Sequence, residues 1–183
     1  MNREQALDIL HEYTKTEPLR RHAYSVEAVM RAAARKYGGD EETWGIVGLL
    51  HDFDYEMFPD QHPMAGKSIL EARGVPEEIV YAIQCHADFT GYERRSLMDK
   101  MIFAVDELTG FVIACALVQP NKSLSELKTS SVRKKLKDKA FARNVSRDDI
   151  WKGIAELGVD FDEHVQFVID ALKPVAGQIG LNP

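Results

Sequence analysis

The sequence predicts an all-α protein, on three observations. Apolar residues recur at helical spacing through most of the chain, sequence signals for helix starts and stops fall between those stretches, and no segment shows the alternation of a strand. At 183 residues the length suits one compact domain with a sizeable core, so a single domain spanning 1–183 is expected. A net charge of −6 argues against general nucleic-acid binding. The two cysteines, Cys85 and Cys115, sit in apolar surroundings and suit a reducing cytoplasm better than a disulfide framework. Met1 to Gln5 lacks the pattern of a signal peptide, and the most apolar run, Met101 to Val118, contains Asp106 and Glu107. It reads as a core helix, so no membrane association is expected.

Each element follows from local chemistry. Asn2 caps a first helix carrying Leu7, Ile9, Leu10 and Tyr13, which ends before Pro18. A second helix runs from about Leu19 to Tyr37 and is stopped by Gly38-Gly39. Asp40 caps a third, which ends at His51-Asp52. Past a loop, Met64 to Arg73 is helical, and Pro76 opens a helix reaching His86. Ser96 with Asp99 resembles a capping box for the long helix from Leu97 to about Val118. Ser146 begins another helix, ended by Gly158, and a last one spans about Asp162 to Val175. His11 and His164 read as surface residues, and Gly177 to Pro183 as a frayed tail.

Polar residues at helix ends and in the core then need partners. His51-Asp52 closes an apolar run and reads either as a helix C-cap with a solvated aspartate or as a pair gripping a cation. Asp106 lies among Phe103, Ala104, Val105 and Leu108, where a carboxylate needs a cation. His22, His51, Asp52, His62, His86 and Asp106 together make a nitrogen–oxygen ligand set for divalent ions, more than one tetrahedral zinc uses and suited to two ions. The absence of a CxxC pair argues against structural zinc. Between Asn121 and Arg143, lysines and arginines outnumber acids; the run is either a solvated face or an electrostatic funnel for an anionic substrate.

In order, His22, His51-Asp52 and Asp106 resemble the pattern of the HD superfamily of metal-dependent phosphohydrolases. His62-Pro63-Met64-Ala65-Gly66 resembles the His-x-x-x-Gly element of its larger-site subgroup, and Ala82 to His86 the Ala-Ile-x-x-His element. Asp106-Glu107-Leu108-Thr109-Gly110 and the basic segment resemble one branch of bacterial predicted HD hydrolases. The resemblance implies a helical bundle with a metal-binding core at about 19–118 and a helical extension at about 119–176. It implies one ion on His22, His51, Asp52 and Asp106, and a second on His62 and His86 with Asp52 bridging. The ions would be two of Mn, Fe, Co, Mg, Ni or Zn, and would generate a hydroxide that attacks a phosphate ester, phosphomonoester or phosphodiester, of a small, possibly nucleotide-like molecule. His51 and Asp52 would be central to catalysis, with Lys67, Lys134 and Lys135 as candidate phosphate contacts. Ala87-Asp88 stands where cyclic-dinucleotide phosphodiesterases carry a second histidine, and Gly91-Tyr92 is followed by Glu93 rather than proline, which speaks against cyclic di-GMP hydrolysis. Two alternatives share the ligand order: a diiron oxygenase resembling inositol oxygenase, and a non-catalytic ligand-sensing helical domain.

Overall fold

The computed structural model describes residues 1–183 and is all-α, with nine α-helices, two 3₁₀ segments and no strand beyond one isolated bridge between Ser123 and Asn182. The helices are α1 (Arg3–Tyr13), α2 (Glu17–Tyr37), α3 (Glu41–Leu50), α4 (Met64–Ala72), α5 (Glu77–Gln84), α6 (Leu97–Leu117), α7 (Thr129–Leu136), α8 (Arg147–Leu157) and α9 (Phe161–Leu172). No helix is long and apolar enough to cross a membrane.

Local signals set most boundaries. The Asn2 and Ser96 side chains accept from the backbone N–H three residues on, and Gln5 and Asp99 reach back to complete capping boxes. Asp40, Ser146 and Asp160 cap α3, α8 and α9 in the same manner. Gly38 and Gly158 end α2 and α8 in the left-handed conformation, which costs a residue without Cβ little. Helix α2 begins two residues earlier than its apolar stripe implied, because Pro18 fits a first helical turn where no N–H is needed.

A single hydrophobic cluster draws residues from all nine helices. Helix α6 is its axis, with Met101, Ile102, Val105, Leu108, Phe111 and Val112 buried within it. Helix α3 lies along α2, and Gly48 is where they touch. A Cβ at 48 would stand 2.8 Å from the Val26 carbonyl oxygen and 2.9 Å from Glu27 Cα, both backbone atoms. Helices α7, α8 and α9 pack on the outer side of α6, so the segment after 119 shares the same core.

Two expectations are overturned. His164 is buried, its Nε2 lying 3.3 Å from the Ala104 carbonyl oxygen. It shares the inner face of α9 with Phe161, Val165 and Val168, and that face, rather than its acidic neighbours, decides its burial. Nor is the tail frayed: Leu181 is buried, Leu124 N–H donates to the Asn182 carbonyl, and Asn182 N–H to that of Lys122. The last helix also stops at Leu172 and tightens into a 3₁₀ segment, Lys173–Ile179, as Pro174 enters.

Because backbone cannot retreat as a side chain can, Gly48→Val is expected to destabilise the fold by about 1–3 kcal/mol. A urea unfolding curve followed by circular dichroism should show a lower midpoint at unchanged slope.

Candidate metal centre

Five segments deliver the six predicted ligands. His22 comes from the second turn of α2, His51 and Asp52 from the end of α3, and Asp106 from the middle of α6. His62 lies in the turn before α4, and His86 just past α5. The structure brings all six together as two groups sharing Asp52: His22, His51, Asp52 and Asp106 in one, Asp52, His62 and His86 in the other.

Both C-cap regions do the orienting. His51 Nδ1 lies 2.8 Å from the Gly48 carbonyl oxygen and His86 Nδ1 2.6 Å from that of Ile83. A carbonyl only accepts, so each Nδ1 carries a hydrogen and each ring turns its Nε2 inward. His62 Nδ1 is held 2.6 Å from Asp54 Oδ1, which aims its Nε2 inward as well. Asp54 is itself fixed by the Gly66 N–H donating to Oδ2 at 2.6 Å. A Cβ on Gly66 would stand 2.8 Å from the Asp54 carboxyl carbon, so the backbone approach needs glycine there.

The inward atoms crowd one another. His22 Nε2 and His51 Nε2 are 3.1 Å apart, as are His62 Nε2 and His86 Nε2. Asp106 Oδ1 is 2.9 Å from His22 Nε2 and 3.3 Å from that of His51. Asp52 divides its oxygens between the groups: Oδ2 lies 3.4 Å from His51 Nε2, whereas Oδ1 lies 3.2 Å from His62 Nε2 and 3.4 Å from that of His86. Lone pairs facing at such separations repel unless a proton or a cation lies between them. Separations of about 3.0–3.4 Å are also the spacing of neighbouring ligands around an ion with bonds near 2.1 Å. The residues present therefore fit divalent metal, and the shared carboxylate fits two ions.

Without a cation, protons take that place. Burial opposes charge on His51, but attraction to Asp52 and Asp106 raises its pKa well above the ordinary value. Burial likewise opposes charge on His62, yet hydrogen bonds to Asp52 and Asp54 push it up to about 9. Asp52 and Asp106 are held below the usual carboxylate range, because the histidines outweigh the penalty of burial.

The centre opens into a cavity of about 560 Å³. Beyond the ligands its walls include Tyr55, Phe89, Asp88, Glu107 and Asp149, and no lysine or arginine. Glu107 accepts from Ser146 N–H at 3.1 Å, and burial together with the Asp106 charge pushes its pKa up to about 7. Asp88 takes Arg94 at 2.7 Å and Lys152 at 2.6 Å. The candidate phosphate contacts do not reach this cavity. Lys67 Nζ is 3.7 Å from Glu71 and 5.9 Å from the Tyr92 ring centre; Lys134 is exposed on α7, and Lys135 lies over Phe141. Helix α7 packs against α6 and α9, and no residue of it lines the cavity. Two residues at the site escaped sequence reasoning. Asp54 lies in a stretch without period, where only its aromatic neighbours Phe53 and Tyr55 hinted at burial; Glu107 reads as the exposed neighbour of Asp106 until α8 packs beside it.

An all-α fold with histidine and aspartate ligands converging from separate helices and turns defines a metal-binding helical domain. The HD domain family matches residues 19–110, half of the chain, and the chain belongs to that family, whose members are in general metal-dependent phosphohydrolases. Ribonuclease Y from Desulfotalea psychrophila (strain LSv54 / DSM 12343) is 31% identical over 93 residues, which are 49% of this chain and 17% of that protein. The chain thus spans a small fraction of the relative it matches. No solved structure matches.

Metal must displace the proton His62 holds below about pH 9. Affinity for Mn²⁺ is therefore expected to rise about tenfold per pH unit between about pH 6.5 and 8.5; calorimetric titrations at three pH values check this, and a flat profile contradicts it. Asp54→Asn should weaken the His62–His86 group by about 10–100-fold while sparing the other, which equilibrium dialysis would show as one site weakened of two.

Proposed function

We propose that this protein is a phosphohydrolase that cleaves a phosphate ester of a small molecule with two divalent ions held through a shared Asp52. The observation that carries this reading is the division of Asp52 between two histidine pairs, Oδ2 toward His51 and Oδ1 toward His62 and His86. When bound, a pair of such ions acidifies water and neutralises the charge that develops on phosphoryl oxygens.

The chain's own residues supply orientation and hold protons. Gly48 O and Ile83 O lock the rings of His51 and His86, and Asp54 locks that of His62, so three imidazoles need no reorganisation on binding. Asp52 serves both groups from one short side chain and fixes their separation. Tyr55 and Phe89 narrow the cavity from the apolar side. With no lysine or arginine in the walls, the protein's side chains leave the neutralising of substrate phosphate to the ions themselves. Lys67, Lys134 and Lys135 have no part in this reading.

The printed name of the relative denotes cleavage of RNA, a phosphodiester; the 93 aligned residues support phosphate-ester chemistry here without specifying its substrate.

A panel of phosphorylated metabolites incubated with Mn²⁺, Co²⁺ or Mg²⁺ should release phosphate or the free alcohol. Asp52→Ala should abolish turnover and both bound ions, and His86→Ala should lower metal content from two ions per chain toward one, by elemental analysis. Oxygen consumption by the iron-loaded protein without ester cleavage would overturn the reading in favour of a diiron oxygenase.

A further inference from the structure

The cavity at the metal centre has no lysine or arginine in its walls, and Arg94 and Lys152, which flank its wall residue Asp88, are engaged by Asp88 and Glu156. Along its walls a polyphosphate or a nucleic-acid backbone would meet the acidic side chains of Glu107 and Asp149, neither of which is held in an ion pair. The part of the substrate that is not phosphate therefore has to be recognised by something other than charge.

A second cavity, of about 350 Å³, adjoins the first, and His22 and Gly110 line both. Its apolar walls are Pro18 of α2, Ile113 and Leu117 of α6, and Ile179 of the last 3₁₀ segment. The polar groups around it already have partners: Arg21 Nε is 3.0 Å from Glu17, and the Ser25 hydroxyl donates to the Arg21 carbonyl at 2.6 Å. Gly110 follows Asp106 by one helical turn on the same face of α6. A Cβ at 110 would touch nothing within 4 Å. Glycine inside a helix is disfavoured relative to alanine, and no turn or close packing calls for it here. What its missing side chain leaves is open space beside the metal ligands, where the two cavities meet.

Resting on the phosphohydrolase reading, we propose that the substrate is a phosphate monoester with an uncharged, apolar organic group. Its phosphate sits at the His/Asp cluster, and the organic group passes Gly110 into the chamber formed by Ile113, Leu117 and Ile179. Length and branching of the apolar group then set specificity.

Calorimetric titration of the Mn²⁺-loaded protein with methyl-, propyl- and hexylphosphonate, whose C–P bond is not hydrolysed, tests this without requiring turnover. Affinity is expected to rise about threefold per methylene, so that hexylphosphonate binds on the order of a hundredfold tighter than methylphosphonate. Gly110→Leu, which fills the gap, and Ile113→Gln, which makes the chamber polar, should each reduce that ratio below about tenfold with metal content unchanged. Equal binding of the three phosphonates by the wild-type protein, or an undiminished ratio in both variants, overturns the proposal. Turnover of methyl and hexyl phosphate separates the two readings. Hydrolysis of both at equal efficiency refutes the chamber alone, whereas graded phosphonate binding with neither ester cleaved supports the chamber and refutes the hydrolase.

Discussion

Two imidazole nitrogens held 3.1 Å apart, each with the far side of its ring already committed to a carbonyl or carboxylate, is the constraint on which this structure depends. Such a pair is stable only with a positive charge between its members. A similar crowding recurs where His22 Nε2 and His51 Nε2 lie 3.1 Å apart with Asp106 beside them. Much of the surrounding sequence serves that arrangement. Gly48 lets α3 press against α2, Gly66 lets the backbone reach Asp54, and Asp54 holds the ring of His62. These contacts are made by backbone and short side chains, which move little, and so the ligands are set before any ion arrives.

The distribution of charge follows from this arrangement. Carboxylates gather at the inner surface, where cations are to be held, and no lysine of α7 lines it. Buried cationic side chains near the centre would compete with the ions for the same oxygens. Arg94 and Lys152, which flank the wall residue Asp88, are absorbed by Asp88 and Glu156. A net negative protein with a negative pocket can still handle an anionic group, because ions bound there would reverse the local sign.

The fold was legible in the sequence because it is written locally. Caps at Asn2, Asp40, Ser96 and Ser146, glycine stops at Gly38 and Gly158, and the period of the apolar residues each act within a few positions. The six metal-site residues were legible for a different reason: each is a polar side chain placed where burial without a partner is costly, and their order matches a known pattern. What was missed depends on contacts between distant segments. Asp54 meets Gly66 only when the loop folds back, and Glu107 meets Ser146 across 39 residues. His164 was misread because the acidic residues before it suggest an exposed turn, although position 164 shares the buried stripe of Phe161 and Val165. The two readings of the basic run stayed open, since charge density in a sequence carries no direction in space.

Two of the histidine rings are oriented by carbonyls three residues earlier in their own chain, Gly48 for His51 and Ile83 for His86. The helix terminus is thus a ruler: a carbonyl oxygen of the last turn is also the one that sets the ring. An exchange of one aliphatic residue for another inside α3 or α5 leaves that ruler intact, because volume can be redistributed within the core. Adding or deleting a single residue does not, since it rotates everything downstream by about 100° about the helix axis. Evolution of this site is accordingly freer in the composition of its helices than in their length.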